Sequence, residues 1–166
     1  MCIRDRSTRV LDVLASPIEL QQGDYSPDVE TRKTSSIALQ GVSFGYPDRE
    51  MLFNDLSLTF EHGKTTGVVG STGAGKTSLV RLLLRFAEPQ SGHVTWCDQP
   101  IEAWKLHSLR SSIALVDQHI TLFPTTIMEN IRYGRPDATD EEVIEAAEIA
   151  EAAAFVTSLP LSLIHI

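Results

Sequence analysis

The chain has 166 residues, 42% of them apolar and 22% charged, with a net charge of −8. That composition supports one packed domain of ordinary size and suggests neither a disordered nor a fibrous class. An acidic balance supplies no basic footprint for sequence-independent nucleic-acid binding, so any affinity for phosphate has to come from a local site.

Both termini read as foreign. Residues 1–6 and 161–166 can be written as coding strings that are reverse complements of each other apart from one outer base, and they resemble adaptor sequence from DNA library preparation. Cys2 and Cys97 have no metal-ligand spacing and form no disulfide framework, which fits a reducing compartment. No apolar run approaches the length of a membrane span.

In chain order, residues 7–15 read as a helix end with an apolar stripe of Val10, Leu11, Val13 and Leu14, stopped by Pro17. The polar stretch 16–36 reads as a linker. Residues 37–44 alternate as a strand with a bulge at Gly41, and Leu56, Leu58 and Phe60 mark a second strand. Residues 65–69 are a short apolar run expected to be a buried strand. A glycine-rich loop and an apolar helix at 76–86 follow. Residues 94–96 predict a strand, 103–109 a short helix, and 112–116 another buried strand.

Past Gln118 the pattern is helical. Thr126 with Glu129 and Thr139 with Glu142 both read as capping boxes, and helices are expected at 141–150 and 152–158. The acidic run at 140–142 reads as capping and solvation, since the macrodipole favours negative charge at a helix start. Trp96 and Trp104 read as packing residues and Cys97 as a small unreactive side chain. The histidines His62, His93, His107 and His119 have no ligand spacing.

The chemistry concentrates in Gly70-Ser71-Thr72-Gly73-Ala74-Gly75-Lys76-Thr77, which fits Gly-x4-Gly-Lys-Thr. Glycines allow the backbone to curl so that successive amides point at phosphate oxygens, and the helix beginning at Lys76 offers its positive end to the same anion. Lys76 adds a compact charge for the β and γ oxygens, and the Thr77 hydroxyl can ligate Mg²⁺. An apolar segment before the loop and an apolar helix after it are the context this mechanism requires.

A phosphate loop of this kind needs further Mg²⁺ ligands. One reading assigns Asp117, at the end of the apolar run 113–117, as in a soluble P-loop kinase or regulatory switch; a guanine-specific switch is disfavoured because Asn-Lys-x-Asp does not occur. The other reading centres on Gln118.

Several separated segments resemble the ATP-binding cassette (ABC) family, in the subgroup of exporters whose membrane helices are fused ahead of the ATPase. Ile37-Ala-Leu-Gln-Gly-Val-Ser-Phe-Gly-Tyr-Pro47 resembles the strand leading into the aromatic A-loop. Residues 70–78 resemble the Walker A loop, and Glu88-Pro-Gln-Ser-Gly92 the turn after the first helix. Val116-Asp-Gln-His-Ile-Thr-Leu-Phe123 resembles the Q-loop, and Thr126-Ile-Met-Glu-Asn-Ile131 the helix after it. The resemblance implies an α/β P-loop NTPase: an ABC-ATPase core with a largely parallel sheet behind the phosphate loop, an antiparallel β subdomain and the start of the helical subdomain, truncated. The domain limits are then 7–36 for the end of the last membrane helix and its linker, and 37–160 for a partial nucleotide-binding domain whose helical subdomain begins at about residue 119.

The same resemblance implies roles. Tyr46 would stack on adenine, the alternative being an exposed turn tyrosine. Gly70, Ser71, Thr72, Gly73, Ala74, Gly75, Lys76, Thr77 and Ser78 would hold the phosphates of ATP. Thr77 and Gln118 would hold Mg²⁺, with Lys76 and Gln118 serving catalysis, and the alternative for Gln118 is a polar strand end. Phe123 would face the coupling helices of a membrane domain, or else be a core aromatic. The implied partners are a second such domain, paired head to tail, and the transmembrane domain of the same polypeptide. The setting would be the cytoplasmic face of a membrane. Leu-Ser-Gly-Gly-Gln, a strand ending in Asp-Glu and a switch histidine are not found in this sequence, so the expectation is ATP binding without useful hydrolysis by the chain itself.

Overall fold

The computed structural model describes residues 23–118 and 120–158, in two compact units divided between Leu115 and Val116. The terminal hexapeptides, the expected helix end at 7–15 and His119 lie outside the described residues.

The first unit is built on four antiparallel strands: β1 (Ile37–Phe44), β2 (Phe53–Phe60), β3 (Ser91–Trp96) and β4 (Gln99–Pro100), in the order β2-β1-β3-β4. β1 is central, with Leu39 opposite Leu58 on one side and Val94 on the other. The expected bulge is present. Gly41 has φ +60, both ladders shift register beside it, and no cost in side-chain strain is incurred there. β2 starts at Phe53 and β3 at Ser91, each three residues ahead of its apolar alternation.

The alternation that predicted β1 now has a physical meaning. Leu39, Val42 and Phe44 are buried and join Val94, Trp96, Ile101, Trp104 and Leu109 in one core. Helix α2 (Lys76–Leu83) adds Leu79 and Leu82 to that core. It ends three residues short of the expected Phe86. Arg85 adopts φ +52, and the bonds Arg85 N–H to Leu82 O (3.0 Å) and Phe86 N–H to Arg81 O (2.8 Å) close a Schellman cap. Arg85 occupies the position where glycine is usual, and its Nε and Nη2 bond Glu88. The sequence carried no glycine to mark the stop.

The stretch read as a linker is docked where it is described. Tyr25 N–H donates to Ala103 O (2.9 Å) and Lys105 N–H to Tyr25 O (2.9 Å), a parallel bridge to Trp104. Asp28 then caps α1 (Val29–Thr34), accepting from Thr31 N–H at 2.8 Å. Arg32 bonds Ser112. The 3₁₀ turn Ile101–Ala103 and α3 (Leu106–Arg110) replace the single helix expected at 103–109.

Trp104 is the centre of this packing. It is fully buried, stacked on Trp96 at 4.9 Å and 12°, and met edge-on by Tyr25 at 5.4 Å. Its indole N–H has no hydrogen-bond partner among the described residues. Trp104→Ala is expected to destabilise the chain by about 3–5 kcal/mol. Trp104→Phe should cost much less, because it keeps most of the volume and removes an unsatisfied donor. Denaturant unfolding followed by circular dichroism checks both. A phenylalanine variant as damaged as the alanine one would mean that indole stacking, not burial, holds the core.

The second unit contains α4 (Ile127–Arg132), α5 (Asp140–Ile149) and α6 (Ala153–Ser158). Thr139 and Glu142 form the full capping box, each side chain meeting the other's backbone amide. At α4 one half is formed, Thr126 Oγ1 accepting from Glu129 N–H at 3.0 Å. Among the described residues no helix is long and apolar enough to cross a membrane.

Two expected strands are not formed. Residues 65–69 and 112–116 have no strand structure, with Val69 93% and Val116 88% exposed. An apolar run supplies strand propensity, but a ladder also needs neighbours to receive its amides and carbonyls, and neither run has one among the described residues. The sheet that is formed is antiparallel throughout, so the largely parallel sheet behind the phosphate loop is not present among these residues.

Candidate functional site

The glycine-rich loop runs directly into α2. Gly73 and Gly75 have φ +86 and +92, and Ala74 N–H turns back to Ser71 O at 3.2 Å. Gly75 is the N-cap of α2 and contributes the first helical carbonyl, accepting from Leu79 N–H at 2.9 Å. A Cβ there would lie 2.8 Å from the edge of the Phe53 ring, so β2 braces the loop at this glycine.

Lys76 closes the loop. Its Nζ donates to Gly70 O at 2.8 Å and to Ser71 O at 2.7 Å. Two carbonyl dipoles thus fix an ammonium beside the N-terminus of an eight-residue helix, where amides unbonded within the helix also lie. Gly70, Ser71, Thr72, Gly73, Ala74 and Thr77 are exposed, and Gly75 and Lys76 half-buried. This set of donors suits a polyphosphate: one placed cation, exposed backbone amides and an exposed hydroxyl.

Ser78 is different from the rest of the loop. It is 6% exposed, and its hydroxyl lies 3.2 Å from the hydroxyl of Tyr46. Arg81, one turn further along α2, donates to the same Tyr46 oxygen at 3.4 Å. These contacts hold the Tyr46 phenol below the usual tyrosine range, the Ser78 bond being the larger cause and Arg81 adding to it. The ring also meets the edge of Phe44 at 5.2 Å and 76°. Tyr46 is therefore half-buried and fixed to the phosphate-loop helix, not a loose turn residue.

The backbone beside Tyr46 is fixed as well. Gln90 accepts from Gly45 N–H at 3.0 Å and donates to Gly45 O at 2.7 Å. Sequence reading missed Gln90, Arg81 and Phe53, because none belongs to the loop motif or stands out by periodicity. Gln90 carried the one usable hint: an amide that can donate and accept, set in a turn.

Gln118 and Asp117 are exposed in the second unit. Phe123, 46% exposed, packs against Tyr133 with ring centroids 4.7 Å apart and the planes tilted by 39°. Its backbone is clamped by Asn130, which accepts from Phe123 N–H at 2.8 Å and donates to Phe123 O at 3.1 Å. The structure thus gathers Tyr46, Ser78, Lys76 and the loop within the first unit, and places Gln118 and Phe123 in the second. Cys97 is buried, and burial pushes its thiol up from the ordinary value.

The comparisons with known proteins agree with this architecture. The family profile described as "ABC transporter" matches residues 53–162. The "Fatty acid ABC transporter ATP-binding/permease protein" of Mycobacterium bovis is 43% identical over 155 residues, covering 92% of this chain and 24% of that protein. "ABC transporter B family member 1" of Arabidopsis thaliana is 42% identical over 145 residues, 86% of this chain and 11% of the relative. Among solved structures, one titled "Structure of a bacterial Atm1-family ABC exporter with ATP bound" superposes with a TM-score of 0.83 at 32% identity, over 95% of this chain and 27% of that one. The chain spans a quarter or less of the length of these two curated relatives.

Proposed function

Since the chain belongs to the ABC transporter family, we propose that it is the ATP-binding part of an exporter and that it holds ATP–Mg in residues 70–78. The observation that carries this reading is the Lys76 ammonium, fixed by two loop carbonyls at the start of α2. Lys76 and the loop amides would bind the phosphates, and Tyr46 would present its ring to the adenine. Thr77 and Gln118 are the proposed Mg²⁺ ligands. When bound, Mg²⁺ supplies charge neutralisation at the β and γ oxygens.

In the whole protein, Gln118 would also orient the attacking water, and Lys76 would stabilise charge on the transferred phosphoryl group. The proposed partners are a second ABC domain, paired head to tail, and a transmembrane domain of the same polypeptide, at the cytoplasmic face of a membrane. The names of the relatives, an ATP-binding/permease protein and an ABC exporter with ATP bound, support ATP binding and a membrane domain in the same polypeptide. Steady ATP turnover is not expected from the purified chain.

Titration calorimetry with ATP–Mg tests the reading. Tyr46→Ala is expected to weaken ATP about tenfold, within the ~1–3 kcal/mol that stacking a base on an aromatic ring contributes, and to leave inorganic tripolyphosphate unaffected. Equal weakening of both ligands would remove Tyr46 from base recognition. The reading that assigns Mg²⁺ to Asp117 is separated by Asp117→Asn, which should leave the Mg²⁺ dependence of binding unchanged.

A further inference from the structure

The sequence marks Tyr46 for its ring; the structure draws attention to its hydroxyl. That hydroxyl links the β1–β2 turn to α2, at 3.2 Å from Ser78 Oγ and 3.4 Å from Arg81 Nη1. A guanidinium can only donate, so Tyr46 Oη accepts from Arg81, while either hydroxyl can be the donor in the Tyr46–Ser78 bond. Ser78 is nine-tenths buried, on the turn of α2 that follows the lysine of the phosphate loop. Just before Tyr46, Gln90 grips the Gly45 backbone through the oxygen and the nitrogen of its side-chain amide, and Phe44 closes one side of the ring. A half-buried phenol held at its backbone, its ring and its hydroxyl has little freedom left to lose when a base is laid against it. Preorganisation of that kind raises affinity by reducing the ordering cost of binding.

The geometry points to Ser78 and Arg81 as positioning residues that act through the Tyr46 hydroxyl: they lock the adenine platform to the phosphate-loop helix, so that base and phosphates are recognised by one rigid piece. This rests on the ATP-binding reading above and adds to it a role for a group that stacking alone does not need. Phenylalanine at position 46 would keep the stacking surface and lose only the lock.

The test compares ATP–Mg with inorganic tripolyphosphate, by calorimetry on the full chain and on Tyr46→Phe, Arg81→Gln and the double variant. Tyr46→Phe is expected to bind ATP about threefold to tenfold more weakly, the equivalent of one net hydrogen bond, with tripolyphosphate unchanged. Unchanged tripolyphosphate binding also shows that the variant is folded. Arg81→Gln, at an exposed position outside the loop, should weaken ATP in the same sense by less. The double variant should be no weaker than Tyr46→Phe alone, since both substitutions remove the same lock. Wild-type ATP affinity in Tyr46→Phe, additive losses in the double variant, or equal loss for both ligands would each overturn the proposal. If the unaltered chain binds neither ligand, the nucleotide site itself falls and the lock with it; if it binds both and only the Tyr46→Phe result fails, the site stands without the lock.

Discussion

Lys76→Ala is expected to lower the affinity of the chain for ATP–Mg by about 100-fold, close to 3 kcal/mol, with folding stability nearly unchanged. The binding loss follows from charge. The chain carries −8 overall, so the field around it repels a polyphosphate, and Lys76 is the cation of the loop motif, fixed by the carbonyls of Gly70 and Ser71. The small effect on stability follows from exposure. In the ligand-free chain the ammonium bonds carbonyls that solvent can also reach, and such contacts contribute little. Lys76→Arg should fail to restore tight binding, because a planar fork cannot replace a compact ammonium held between two carbonyls. Calorimetry against both ATP and tripolyphosphate checks the affinity, and urea unfolding the stability. Wild-type affinity in Lys76→Ala would end the phosphate-loop reading.

The second large effect is expected at Gly75. Gly75→Ala should destabilise the chain by about 1–2 kcal/mol and weaken ATP by about tenfold. The residue sits at φ +92 as the N-cap of α2, and an L side chain is strained in that region. Its Cβ would also come within 2.8 Å of the Phe53 ring. The ring edge is the far end of a half-buried side chain and can swing aside, so the backbone term is the part that cannot relax. Phe53→Leu in the same chain should therefore recover only part of the lost stability. Full recovery would show that the clash, and not the left-handed backbone, is what keeps glycine at this position. Thermal unfolding of the two variants together decides it.

Much of the site was legible before any coordinates. The loop motif depends on local backbone chemistry, and local chemistry is what a short string of residues encodes: glycines where φ is positive, a lysine at the helix start, a threonine after it. The same holds for Thr139 and Glu142, whose reciprocal bonds span only three residues, and for the Gly41 bulge. Arg85 shows the limit of that logic, since a Schellman cap formed without the glycine that would have announced it.

What sequence alone determined here is the local and the statistical: an acidic composition, a phosphate loop ahead of an apolar helix, and segments in the order of the ABC family. What only the tertiary structure decided is which distant groups meet. Gln90 gripping Gly45, Ser78 and Arg81 holding the Tyr46 hydroxyl, Phe53 bracing Gly75 and Tyr25 bridging to Trp104 each join residues at least 22 positions apart. No periodicity or motif records such a pairing. The apolar runs at 65–69 and 112–116 make the converse point: they have strand character but form no strand, because propensity belongs to the residues themselves and a ladder belongs to the partner that pairs with them.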